Sequence, residues 1–197
     1  MLVFVEERLA LLSVPKTGST ALQAALCDRA DIVVTNPPEL KHATVRRFDR
    51  FFQTMFRKML ATEMEIMGVV REPVDWLASW YRYRSRPELI GHTNSTRSVT
   101  FEEFVRGYLH KPRASFADVG SQTDFFRPRS NGAGAIHLFK YENQDRILNF
   151  LQSRLNCDIR LPRMNVSPKC PVDLNPETVR RYRNICAEEF RLHEMAQ

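Results

Sequence analysis

The stretch Leu9 to Leu26, LALLSVPKTGSTALQAAL, constrains this chain more than any other. An apolar run suited to a buried strand ends at Pro15. A turn, Lys16-Thr17-Gly18-Ser19-Thr20, comes next, and helical periodicity begins at once. A strand that passes through a glycine turn into a helix leaves the first N–H groups of that helix without backbone partners. They lie at the positive end of the helix dipole, a place suited to anions. Gly18 lets the backbone come close to a ligand. Ser19 and Thr20 offer a helix cap or hydroxyl donors, and Lys16 adds a mobile positive charge. The lysine precedes a single glycine, so this is not a Walker A loop, which requires G-x-x-x-x-G-K-[ST]. Two readings stand side by side: a loop that cradles phosphate or sulfate, and a plain polar turn with an exposed lysine.

Strands alternate with helices along the rest of the chain. Leu2–Val5 and Leu9–Val14 read as short strands joined by a tight turn, and Ser19–Arg29 as a helix burying Leu22, Ala25 and Leu26. Asp31–Thr35 is a β-branched strand. From Thr44 to Leu60, Phe48, Phe51, Phe52, Met55 and Met59 recur at steps of three and four, which predicts one amphipathic helix. Its other face carries Arg46, Arg47, Arg50, Arg57 and Lys58, read as a solvated basic surface. Glu65–Val70 (EIMGVV) is a central strand, Pro73 opens a helix, and Thr100-Phe-Glu-Glu103 is a capping box. A strand at Ala135–Phe139, a helix at Gln144–Leu155 and a last helix from Asn175-Pro176 complete the order. This alternation predicts an α/β fold with a central, mainly parallel sheet flanked by helices, as a single domain over residues 1–197.

In such sheets ligands bind at the carboxyl ends of the strands. Lys16–Thr20 and Arg71 both come directly after strands, so both belong on that rim. Arg71 can grip a phosphate with its planar fork. Ser79, two helical turns further on, is placed to reach the same anion if the helix axis passes beside it. Arg71 could equally pair with Glu72 or Asp75.

Here a resemblance carries the argument further. Val14-Pro-Lys-Thr-Gly-Ser-Thr20 resembles the 5′-phosphosulfate-binding loop of the sulfotransferase family. Val70-Arg-Glu-Pro-Val-Asp-Trp-Leu-Ala-Ser-Trp-Tyr81 resembles its 3′-phosphate-binding segment, R-[DE]-P…S-x-Y. The nearer likeness is to the carbohydrate (glycosaminoglycan-type) branch and its bacterial relatives. It is specific over residues 9–81 and looser over Ala135–Asn156 and Arg163–Pro168.

The resemblance implies a P-loop-NTPase-like three-layer fold and transfer of a sulfuryl group from 3′-phosphoadenosine 5′-phosphosulfate (PAPS) to an acceptor hydroxyl or amine, with no metal. Lys16 would balance charge on the leaving oxygen. The backbone N–H groups of Thr17, Gly18, Ser19 and Thr20 would hold the 5′-phosphate, and Arg71 and Ser79 the 3′-phosphate. His42 would be the base, because the glycosaminoglycan 2-O-sulfotransferases place a histidine comparably; Glu39 is the alternative. A P-loop-type kinase and a non-catalytic module that binds nucleotide or polyanion are the competing readings. Tyr141-Glu142 and Asn165–Ser167 are candidates to close the nucleotide pocket.

Composition limits the partners. Lys and Arg exceed Asp and Glu by 29 to 23, which fits a small-molecule or glycan acceptor of acidic character. The aromatic and basic residues of Trp80–Arg86 could line an acceptor groove, or simply pack; nucleic acid is not the expected partner. No apolar run reaches the roughly 18 residues of a membrane span. The start, MLVFVEER, is too short and too soon acidic for a signal peptide, so a cytoplasmic setting is expected. Cys27, Cys157, Cys170 and Cys186 form no C-x-x-C pair and fit a reduced compartment. The glycosylation-type triplets at Asn94 and Asn165 carry little weight without a secretory signal.

Overall fold

The computed structural model describes residues 1–128, 136–162 and 171–197. Most of the RPRSNGAG turn, the Arg163–Pro168 segment with its Asn165 triplet, and Cys170 lie outside them. In chain order the elements are β1 (Leu2–Phe4), β2 (Leu9–Leu11), α1 (Ser19–Leu26), β3 (Ile32–Val33), α2 (Pro38–Lys41), α3 (Val45–Arg47), a π-helical turn (Phe48–Gln53), α4 (Thr54–Leu60), β4 (Glu65–Val70), α5 (Pro73–Arg84), α6 (Phe101–Leu109), α7 (Gln122–Phe126), β5 (Ile136–Lys140), α8 (Gln144–Leu155), α9 (Pro176–Ile185) and α10 (Ala187–Met195). They fall into two compact units. One comprises Met1–Arg71, Gln122–Met164 and Met195–Gln197, and the other Glu72–Ser121 and Asn165–Glu194.

The first unit is built on a five-stranded sheet in the order β3-β1-β2-β4-β5. The expectation of a mainly parallel sheet is corrected here: the sheet is mixed. β2 runs parallel to β4, and β4 to β5. β1 is antiparallel to both of its neighbours, β2 and β3. The cause is local. The four residues Val5–Arg8 are too few for a crossover, so β1 must fold back on β2 as a hairpin. Arg8 closes the turn with φ 52 and donates its N–H to the Val5 carbonyl at 3.2 Å.

Alternation along the strands decides the two faces. Leu9 and Leu11 of β2 and Met67 and Val69 of β4 share one apolar cluster with Leu22 and Leu26 of α1 and Ile147, Leu151 and Leu155 of α8. On β4 the intervening residue Gly68 faces the other way. There the Phe126 ring of α7 lies so close that an added Cβ would stand 2.3 Å from it.

The segment Val45–Leu60 is one continuous helical run, but its apolar residues do not share one buried face. The π-helical turn widens the winding through Phe48–Gln53 and rotates the residues after it about the helix axis. Phe48, Phe52 and Phe56 line up inward, with Phe48 and Phe52 stacked at 5.7 Å between centroids. Phe51, Met55 and Met59, expected inside, are exposed. The wider turn also buries Gln53, whose amide pairs with both backbone groups of Met64 at 3.1 Å, immediately ahead of β4.

The second unit packs α5, α6, α9 and α10 around Trp76, Tyr81, Phe104, Tyr108, Tyr182 and Phe190. Both halves of the Thr100–Glu103 capping box form, and Pro73 and Pro176 open their helices as their fixed φ favours. The aromatic and basic stretch Trp80–Arg86 is used mainly for packing. Tyr81 is buried, and Arg84 donates to the Ser115 and Asp118 carbonyls at 2.9 and 2.7 Å. Among the described residues no helix is long and apolar enough to cross a membrane, and Cys27, Cys157 and Cys186 are free thiols.

Candidate functional site

Three parallel strands, β2, β4 and β5, end at one rim of the first unit, and each is followed there by a candidate site residue. After β2 the chain turns through Lys16 (φ 69) and Gly18 (φ 76), both left-handed. Alternating handedness of this kind turns successive N–H groups towards one point, which favours an anion. Thr17 is buried and its hydroxyl donates to the Val14 carbonyl at 3.0 Å. Its side chain therefore pins the loop, leaving the backbone as its contribution to any ligand. Ser19 and Thr20 do not cap α1. The cap is Gly18, without a side-chain hydrogen bond, and Ser19 is the first helical residue. No side-chain oxygen caps the first turn, where the Gly18 carbonyl accepts from the Ala21 and Leu22 N–H groups at 3.0 and 3.3 Å; a helix start without a side-chain cap suits an anion.

Arg71 comes directly after β4. Gln122 of α7 clamps its backbone, accepting from the Arg71 N–H at 2.8 Å and donating to its carbonyl at 2.9 Å. The side chain then reaches the loop: Nη1 donates to the Lys16 carbonyl at 3.2 Å, across 55 residues of sequence. The guanidinium also stacks over the Tyr141 ring at 4.4 Å. Tyr141 comes directly after β5, donates its N–H to the Val70 carbonyl at 2.6 Å, and accepts at its own carbonyl from the Gln144 side chain. Its ring edge covers Gly18 so closely that a Cβ there would lie 3.1 Å away. Glycine is favoured at 18 on two counts, the positive φ and this ring.

His42 caps the C-terminal end of α2. Its Nδ1 lies 2.6 Å from the Ser13 carbonyl, in the segment that leads into the Lys16 loop. A carbonyl only accepts, so Nδ1 carries the proton and Nε2 of the neutral ring keeps its lone pair. Partial burial lowers the His42 pKa below the ordinary histidine value; the Ser13 carbonyl opposes the shift and the Lys41 charge adds to it. The alternative base, Glu39, is exposed on α2, and its backbone carbonyl accepts from Arg47 at 3.3 Å.

Lys16, Thr17, Gly18, Ser19, Thr20, Arg71 and His42 therefore all belong to the first unit, with Arg71 touching the loop and His42 tied to the segment between β2 and the loop. Ser79 is buried on α5 within the second unit. Sequence reasoning missed Gln122 and Ser13, and left Tyr141 without a defined role. A tyrosine directly after a strand was visible. Its partners, far away in the chain, were not.

A family model described as "Sulfotransferase family" matches residues 1–161. Neither the curated proteins nor the solved structures gave a match.

Proposed function

Because the chain belongs to the sulfotransferase family, we propose that the rim of β2, β4 and β5 binds PAPS and moves its sulfuryl group in line to an acceptor hydroxyl or amine. The observation that carries this reading is the Arg71–Lys16 contact. It joins the two anion motifs, and Tyr141 lies against both. The finer fold reading, a P-loop-NTPase-like layering, goes with this proposal.

In the proposed reaction the acceptor oxygen (or nitrogen) attacks sulfur as the bond from sulfur to the bridging phosphate oxygen breaks. The acceptor proton passes to Nε2 of His42. The leaving group is the 3′,5′-bisphosphate, and Lys16 balances the charge that develops on its oxygen. Such transfers ask the protein mainly for positioning and charge stabilisation. Thr17–Thr20 supply N–H groups for the 5′-phosphate. Arg71 takes the 3′-phosphate, and the resemblance assigns Ser79 to it as well. The acceptor class it favours is a carbohydrate.

Thermal-shift titration with 3′-phosphoadenosine 5′-phosphate, 5′-AMP and ATP tests the donor. The bisphosphate should raise the melting temperature most. Stabilisation by ATP with none from the bisphosphate would instead favour a kinase-type site. Transfer of labelled sulfate from PAPS across glycans, lipids and small alcohols identifies the acceptor. A bisphosphate shift without transfer to any of them would favour a binding module.

A further inference from the structure

The helical run Val45–Leu60 has an outer face that nothing in the proposed reaction uses. Phe51 is 60% exposed, Met55 36%, Met59 75% and Leu60 51%. Single exposed apolar residues are ordinary, but four on one short helix are not. They stand outside because the π-helical turn rotates the run, giving the inward positions to Phe48, Phe52 and Phe56.

The charge around them is one-sided. Arg46, Arg47, Arg50 and Lys58 are exposed on the same run. The Arg50 guanidinium lies over the Phe51 ring at 5.2 Å, so cation and aromatic ring are presented together. The only acid in the run, Asp49, is buried, and Arg57 is engaged with it at 3.7 Å and with Glu63 at 2.6 Å.

We propose that this face docks on the surface of an anionic lipid bilayer, with Phe51, Met55 and Met59, spaced four apart, entering the acyl boundary and Arg46, Arg47, Arg50 and Lys58 at the headgroup phosphates. The pattern is that of an interfacial amphipathic helix, whose binding adds apolar burial to attraction by acidic lipid. A second copy of the chain fits less well, because a symmetric contact would bring two sets of the same cations together. A soluble polyanion would answer the cations and leave the apolar residues in water.

Flotation with vesicles tests this on the full chain. Vesicles of phosphatidylcholine with phosphatidylserine should carry the protein upward, and vesicles of phosphatidylcholine alone should not. Phe51→Ser with Met59→Ser should weaken partitioning at least about tenfold. Arg50→Glu with Lys58→Glu, which leaves the apolar residues in place, should abolish the preference for acidic lipid. All four side chains are exposed, so the melting temperature should be preserved in both variants. Failure to float with acidic vesicles would overturn the proposal. So would floating that is indifferent to the Phe51 and Met59 changes, or retention on heparin that depends on Arg50 and Lys58 alone. A concentration-dependent dimer lost with Phe51→Ser and Met59→Ser would give the face to a second copy.

Discussion

A hydrogen bond to Ser13 decides what His42 can do. With Nδ1 held by a carbonyl, the free lone pair is on Nε2, and burial lowers the pKa, which favours the neutral ring. A base works in its neutral form, so kcat/KM should fall as pH drops through this lowered pKa, giving an acid limb below the ordinary histidine range. Lys41 contributes to the lowering. Lys41→Gln should therefore move the acid limb to higher pH, while His42→Ala should lower kcat about 10²–10⁴-fold and leave bisphosphate binding intact. An acid limb unmoved by Lys41→Gln, or full turnover in His42→Ala, would return the base role to Glu39 or another group. Only the family likeness points to His42 in the sequence, since a histidine in a loop is by itself commonplace. The carbonyl that fixes its tautomer lies 29 residues away, and such a pairing has no local signal.

Among the elements, those whose ends are set by nearby residues were the most legible. The capping box at Thr100, the prolines at 73 and 176, and the apolar run of β4 act within one or two turns of themselves, and all appear where expected. The run Val45–Leu60 was misread because its spacing satisfies an ordinary α-helix. What overrides that spacing is Gln53, buried at the end of the π-helical turn, with its amide oxygen and nitrogen both pairing with Met64. In a regular winding Gln53 would point elsewhere, and two backbone groups next to β4 would need other partners. Gln53→Leu should thus cost about 2–4 kcal/mol, for two buried groups left unpaired, measured by urea unfolding. A loss below about 0.5 kcal/mol would mean that Met64 finds other partners and that Gln53 does not hold the turn.

For the molecule as a whole, the sequence indicated helices flanking a sheet but not the sheet's mixed character. Periodicity identifies a strand without giving its direction, and a single reversed strand, β1, makes two of the four pairings antiparallel. The rim survives this because the strands that feed it, β2, β4 and β5, are the parallel ones. Arg71 links two of their ends, and it is also the last residue of the first unit before the chain passes into the second. Its substitution should therefore separate the two ends of the proposed donor in a global measurement. In the wild type, 3′-phosphoadenosine 5′-phosphate should stabilise the fold more than 5′-AMP at equal concentration, by the tighter binding that one charged hydrogen-bonding group provides. Arg71→Met should weaken the bisphosphate about 10–100-fold, corresponding to about 1.5–3 kcal/mol, and bring its thermal shift down to that of 5′-AMP. The 5′-AMP shift serves as the internal check, because Arg71 also braces the Lys16 carbonyl. If 5′-AMP loses its effect too, the loss is in the loop and not at the 3′-phosphate. If both nucleotides stabilise the wild type equally, Arg71 is a brace for the loop and the 3′-phosphate assignment fails.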